Sequence, residues 1–129
     1  AVKMGTLVPA GREAPLKLAE ALQRGQHVAM LVDQYMGNGV EVTFFGRKTK
    51  ANPTLARLLR QVECPVHGVR IIRLPNHRFR AELSEEVKPV RDAAGQIDVQ
   101  GTMQAVTSVV EGWVREYPDQ WLWLHRRWR

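Results

Sequence analysis

A single cysteine, Cys64, stands in this chain of 129 residues. No internal disulfide can form, so the fold does not depend on an oxidising compartment. No run approaches the ~18–20 consecutive apolar residues of a membrane span. The glycine patterns of nucleotide sites are missing as well. Gly37-Asn38-Gly39 lacks the third glycine of a dinucleotide fingerprint, and no Gly-Lys-Ser/Thr follows a glycine loop. No Gly-x-Ser-x-Gly elbow is spelled, which argues against a serine hydrolase of that type. His125 has no second ligand at a useful spacing, so no metal is expected. The start, Ala1-Val2-Lys3-Met4-Gly5, lacks a charged region followed by an apolar run, so no signal peptide is expected there. The absence of Met at position 1 suits a segment cut from a longer chain. Acidic residues are also scarce, 13 against 19 basic ones, giving a formal net charge of +6. Nucleic acid, an anionic membrane surface and acidic proteins all stay open as partners.

What is present fits one domain, residues 1–129, long enough to bury about two-thirds of its unfolded surface. Thr6-Leu7-Val8 reads as a short strand. Pro15, then Leu16, Ala19 and Leu22 at helical spacing, then Gly25, read as a helix with a stop. His27-Val28-Ala29-Met30-Leu31-Val32 is a continuous apolar run ending at Asp33, the pattern of a strand buried on both faces. Gly37-Asn38-Gly39 marks a loop, and residues 40–45 an edge or rim strand. Asn52-Pro53 starts a helix whose buried face is Leu55, Leu58, Leu59 and Val62.

Residues 66–74 and 78–83 read as two strands joined by Pro75-Asn76-His77, and residues 89–95 as a loop. Asp98 caps a final helix whose stripe is Val99, Met103, Val106, Val110, Trp113 and Val114, ended by Pro118. Alternating strands and helices predict an α/β fold with a largely parallel central sheet flanked by helices. In such a sheet ligands meet the carboxyl ends of strands, where Asp33 and Gln34 stand.

Cys64 lies among apolar residues and reads as a small buried side chain. His67, three residues on, would point to the other face of a strand and could not activate it. His77-x-x-x-x-Glu82 has the spelling of a catalytic His-x4-acid pair. Alternation of Phe79, Ala81 and Leu83 with charged residues makes this a strand, however. Five residues of strand span about 16–17 Å and end on the opposite face. A base and its orienting carboxylate need contact at about 3 Å.

Phe44-Phe45-Gly46-Arg47-Lys48 sets apolar bulk beside two cations, a fit to an acyl chain or bilayer and to a phosphate. The tail, Trp121-Leu122-Trp123-Leu124-His125-Arg126-Arg127-Trp128-Arg129, interleaves three tryptophans with arginines. It suits nucleic-acid stacking, a membrane interface, or tryptophans packed on the body with the arginines in water.

Together with Tyr117-Pro118-Asp119-Gln120, this tail resembles the C-terminal segment of the lipid A biosynthesis lauroyl acyltransferases, of the lysophospholipid acyltransferase superfamily. A second stretch resembles the same family: Leu22, Gly25, Asp33, Gly37 or Gly39, Val42 and Phe44-Phe45-Gly46. The family often carries a proline where this chain has His67. The resemblance implies the C-terminal part of a glycerolphosphate acyltransferase-like fold, with the catalytic His-x4-Asp/Glu motif upstream and no catalytic residue in this segment. It implies transfer of an acyl group from the thioester of acyl carrier protein, without a further cofactor, to a phosphorylated glycolipid. It places Asp33, Gln34, Arg47 and Lys48 on the substrate side. The full enzyme would sit at the cytoplasmic face of the bacterial inner membrane, against an anionic surface, with no nucleic acid as partner. The rival expectations are a basic, tryptophan-rich nucleic-acid-binding module or an inactive scaffold.

Overall fold

Pro15 and the apolar spacing after it produce the first helix, α1 (Ala14–Gln23), in the computed structural model, which describes residues 5–129. Gly25 ends it at φ +74°, with its N–H on the Leu22 carbonyl at 2.9 Å and the Gln26 N–H on Ala21 at 3.0 Å. That pairing is a Schellman cap, which needs a left-handed residue at this point.

β1 (Tyr35–Phe44) and β2 (Arg47–Ala51) form an antiparallel hairpin. Its two-residue turn, Phe45-Gly46, has φ of 52° and 71°. Two positive φ values match the turn whose twist suits a tight hairpin. Gly37-Asn38-Gly39, expected as a loop, lies inside β1 as a bulge, because Tyr35 and Val40 both take Ala51 as partner. Gly39 is required there, since a Cβ would stand 2.1 Å from the Ala51 carbonyl oxygen.

α2 (Thr54–Gln61) begins where Asn52 Oδ1 accepts from the Thr54 N–H at 3.0 Å and its hydroxyl at 2.6 Å. The helix opens one residue later than expected, with Pro53 rather than Asn52 as its N-cap, and Asn52 satisfies the Thr54 donor from one position before it. β3 (His67–Leu74) and β4 (Arg78–Glu86) form a second antiparallel hairpin, turned through Asn76 and His77 at φ 61° and 55°. α3 (Val99–Glu116) starts at Asp98, whose side chain accepts from the Gly101 N–H at 3.2 Å. A single 3-10 turn, Pro118–Gln120, follows.

The expected parallel sheet is corrected. The described strands make two separate two-stranded antiparallel sheets. Two residues of turn send β1 straight back into β2, whereas parallel neighbours need a crossover of a dozen or more residues. The apolar run 27–32, expected as a buried parallel strand, forms no strand. Its composition encodes burial on two faces but not which backbone it pairs with, and no strand among the described residues pairs with it. Residues 6–8 are likewise irregular.

α3 packs against the first hairpin and α2, and it meets the second hairpin through Arg70, which bonds Glu116 and lies over the Trp113 ring. Val42 and Phe44 alternate onto the same face of β1 and pack against α3. Met103, Val106, Val110 and Val114 are the buried part of the predicted stripe, while Val99 and Trp113 are half-buried. Each large apolar side chain removed from water here stabilises the fold by about 1.5–3 kcal/mol.

Candidate functional site

Residues 27–33 run alongside β3 above α3, and a cleft lies between them. Its wider part, 650 Å³, is walled by residues 25–30 on one side and 64–69 on the other, over Val106, Val109 and Val110. Its narrower part, 210 Å³, is walled by Met30–Asp33 and by Arg70, Ile71 and Ile72. The lining is mostly apolar, with Asp33 and Arg70 at the narrow end. Cys64 lines the wide part and is half-buried rather than fully buried.

Arg70 was not singled out by sequence, yet it is the most connected charge of the cleft. It shares a face of β3 with buried Ile72, two residues on. Its guanidinium donates to Glu116 Oε2 at 2.7 Å and to Glu82 Oε1 at 3.3 Å. It also stands 5.8 Å from the Trp113 ring centroid and 5.4 Å from that of Tyr117. The hydrogen bond from Arg70, with the field of Arg70 and Arg80, holds the Glu116 carboxyl below its ordinary value. Pairing with Glu116 raises Arg70 in turn. Glu82 is thereby committed to Arg70 and Arg80, while His77 sits exposed in the turn before β4. The His77–Glu82 spelling does not assemble an acid–base pair.

The tail folds back onto the first hairpin. Phe44, 1% exposed, stacks on Trp128 with centroids 5.4 Å apart and meets the edge of Trp121 at 5.5 Å. Trp128 Nε1 donates to the Phe44 carbonyl at 3.1 Å, and the Tyr35 N–H donates to His125 Nε2 at 3.1 Å. One expectation is overturned here: Arg127 is not in water but only 2% exposed. Its Nη1 donates to Thr49 Oγ1 and to the Lys50 carbonyl, both at 3.0 Å, and its guanidinium lies 5.2 Å from the Phe44 ring centroid. Burial pushes Arg127 below its ordinary value, and the negative charge of Asp33 opposes that shift. No pattern in the tail distinguishes Arg127 from Arg126 or Arg129, which are exposed. Trp123 keeps about half of its surface in water. Most of the aromatic surface that a single-stranded nucleic acid would stack on is thus already used within the chain.

The four residues expected on the substrate side separate into two places. Asp33 faces the cleft, and Gln34 beside it is exposed. Arg47 and Lys48 open β2 and line neither part of the cleft. Four residues of strand, about 13 Å, separate Arg47 from Ala51, the partner of Tyr35. Arg47 lies 5.8 Å from the Trp128 ring centroid, and Lys48 pairs with Glu41 at 3.2 Å; both are exposed. Phe45, between them and Phe44, takes the guanidinium of Arg115 at 4.6 Å from its centroid. Among the described residues no three His, Cys, Asp or Glu side chains gather to hold a metal ion. No helix among them is long and apolar enough to cross a membrane.

The chain matches the family model described as bacterial lipid A biosynthesis acyltransferase over residues 5–129. No curated protein matches it. The family match takes in the cleft, Asp33, both hairpins and the docked tail.

Proposed function

This chain belongs to the bacterial lipid A biosynthesis acyltransferase family, and from that we propose that it is the C-terminal part of an enzyme that acylates a lipid A precursor. The donor is a fatty acyl group such as lauroyl, carried as a thioester on acyl carrier protein. The acceptor is a sugar hydroxyl of a phosphorylated glycolipid. The observation that carries the reading is the unbroken family match across residues 5–129.

In this reading the proton-accepting histidine and its orienting carboxylate lie upstream of Ala1. The histidine takes the acceptor's hydroxyl proton as its oxygen attacks the thioester carbon. The C–S bond breaks, the C–O bond forms, and the carrier thiol leaves with a proton. No cofactor beyond the thioester is called for. The segment alone is inactive. It completes the domain, presents Asp33 at the cleft with Gln34 exposed beside it, and offers Arg47 and Lys48 as exposed cations for the acceptor's phosphate. A planar guanidinium accepts phosphate in two parallel hydrogen bonds, which suits Arg47 to that task.

The net charge of +6 favours an acidic carrier protein, an anionic glycolipid and an anionic bilayer. We place the full enzyme at the cytoplasmic face of the inner membrane. The test is Arg47→Ala in the full-length enzyme, with steady-state kinetics against the glycolipid. KM should rise with kcat largely kept. An unchanged KM and kcat would remove Arg47 from the site.

A further inference from the structure

Asp33 ends a run that makes few directed contacts of its own. Among the described residues, 27–33 make no backbone or side-chain hydrogen bond. Val32 packs against both core clusters, and the chain bends at Gln34, directly after Asp33. Two residues beyond Asp33, the Tyr35 N–H donates to His125 Nε2 at 3.1 Å, a bond that spans 90 residues of sequence. Other residues of the tail grip the same corner. The Arg129 guanidinium lies 5.2 Å from the Tyr35 ring centroid. Buried Arg127 donates to the Thr49 hydroxyl and the Lys50 carbonyl, next to Ala51, the strand partner of Tyr35. Burial lowers Arg127 from its ordinary value and the Asp33 charge opposes that shift, so the tail and Asp33 share one electrostatic neighbourhood.

We infer that His125 is a positioning residue for Asp33: by accepting the Tyr35 N–H it fixes the corner at Gln34, and with it the direction from which the Asp33 carboxylate enters the cleft. This rests on the reading of Asp33 as a substrate-side residue. The role needs a lone pair at Nε2, because a ring nitrogen that carries a proton cannot accept. Such an anchor matters beyond its own strength, since a displacement of about 1 Å at a binding or reacting group can cost roughly 100-fold in rate.

The test is a pair of substitutions in the full-length enzyme, assayed with lauroyl-acyl carrier protein and a phosphorylated lipid A precursor. In His125→Gln the amide oxygen can reach the place of Nε2; in His125→Asn it stops a methylene short. His125→Gln should keep kcat/KM within about threefold of the parent, and His125→Asn should lower it by roughly 10- to 100-fold. In an Asp33→Asn background, His125→Asn should cost less than about twofold more, because its effect runs through Asp33. Parental kcat/KM in His125→Asn would overturn the positioning role. Equal losses in both backgrounds would also overturn it, since His125 would then only support the fold, and so would a Gln variant as slow as the Asn one. Hydrogen exchange over residues 33–36 reads the anchor without turnover. It should rise in His125→Asn but not in His125→Gln, and equal exchange in all three proteins would overturn the role as well. Asp33→Asn with parental activity removes Asp33 from the substrate side and the positioning role with it. A slow Asp33→Asn beside a parental His125→Asn discards the positioning role alone.

Discussion

Arg127 and Thr49 hold each other reciprocally: the guanidinium donates to the Thr49 hydroxyl at 3.0 Å, and that hydroxyl donates to the Arg127 carbonyl. Both residues are buried, so neither bond is replaced by water when one is cut. Thr49→Val should cost about 1–3 kcal/mol in urea unfolding, because a buried guanidinium loses an acceptor. Arg127→Met removes the donor as well. The double variant should be less destabilised than the sum of the two by about 0.5–3 kcal/mol. Strict additivity would mean that the two side chains do not act on each other.

Phe44 joins the tail to α3. It stacks on Trp128, meets Trp121 and packs with Val110 and Val114. Phe44→Ala should destabilise by about 3–5 kcal/mol, since the ring leaves a cavity that its neighbours cannot close. Limited proteolysis should then cut within residues 121–129 before other sites. Cleavage elsewhere first would mean that Phe44 does not hold the tail.

Gly39→Ala tests the bulge. The added methyl meets backbone, not a flexible side chain, at 2.1 Å. A cost at or above the usual ~1–3 kcal/mol of overpacking is expected. Ala at the exposed Gly112, where a Cβ meets nothing within 4 Å, should be neutral or slightly stabilising by helix propensity. Equal effects on thermal unfolding would contradict the bulge.

The pH dependence follows from Glu116. Its carboxyl is held below the ordinary value of 4.5 in the folded chain by the Arg70 hydrogen bond. The folded state therefore binds that proton less readily than the unfolded state does. The resulting stability is present above the unfolded value and is lost as pH falls through the folded one. Thermal unfolding of Glu116→Gln should differ from the parent at neutral pH and converge with it as pH falls below the ordinary carboxylate range. A constant difference across that range would show that Arg70 does not depress Glu116.

Much of this arrangement was legible in residues whose role is local. Gly25 stops α1, Asn52 satisfies a donor of α2 from one position before its cap, Asp98 opens α3, and the α3 stripe runs from Met103 to Val114. What failed depended on partners distant in sequence. The run 27–32 states that it wants two buried faces but not who covers them, and none of its neighbours among the described strands does. Gly37-Asn38-Gly39 spells a loop equally well as a bulge, and only the close approach to Ala51 decides. Arg127 is buried because its hydrogen bonds span 77 and 78 residues, a relationship that no spacing rule contains. Arg70 shares its face of β3 with Ile72, but Val69 and Ile71 make the opposite face equally apolar, so alternation alone does not say which face is inner.

The most direct measurement incubates the full-length protein with lauroyl-acyl carrier protein and a phosphorylated lipid A precursor, and looks for the acylated glycolipid by mass spectrometry. The account predicts an ester product that requires the polypeptide upstream of Ala1 and is not made by residues 1–129 alone. No product from the full-length protein, or as much from residues 1–129 alone, would contradict it.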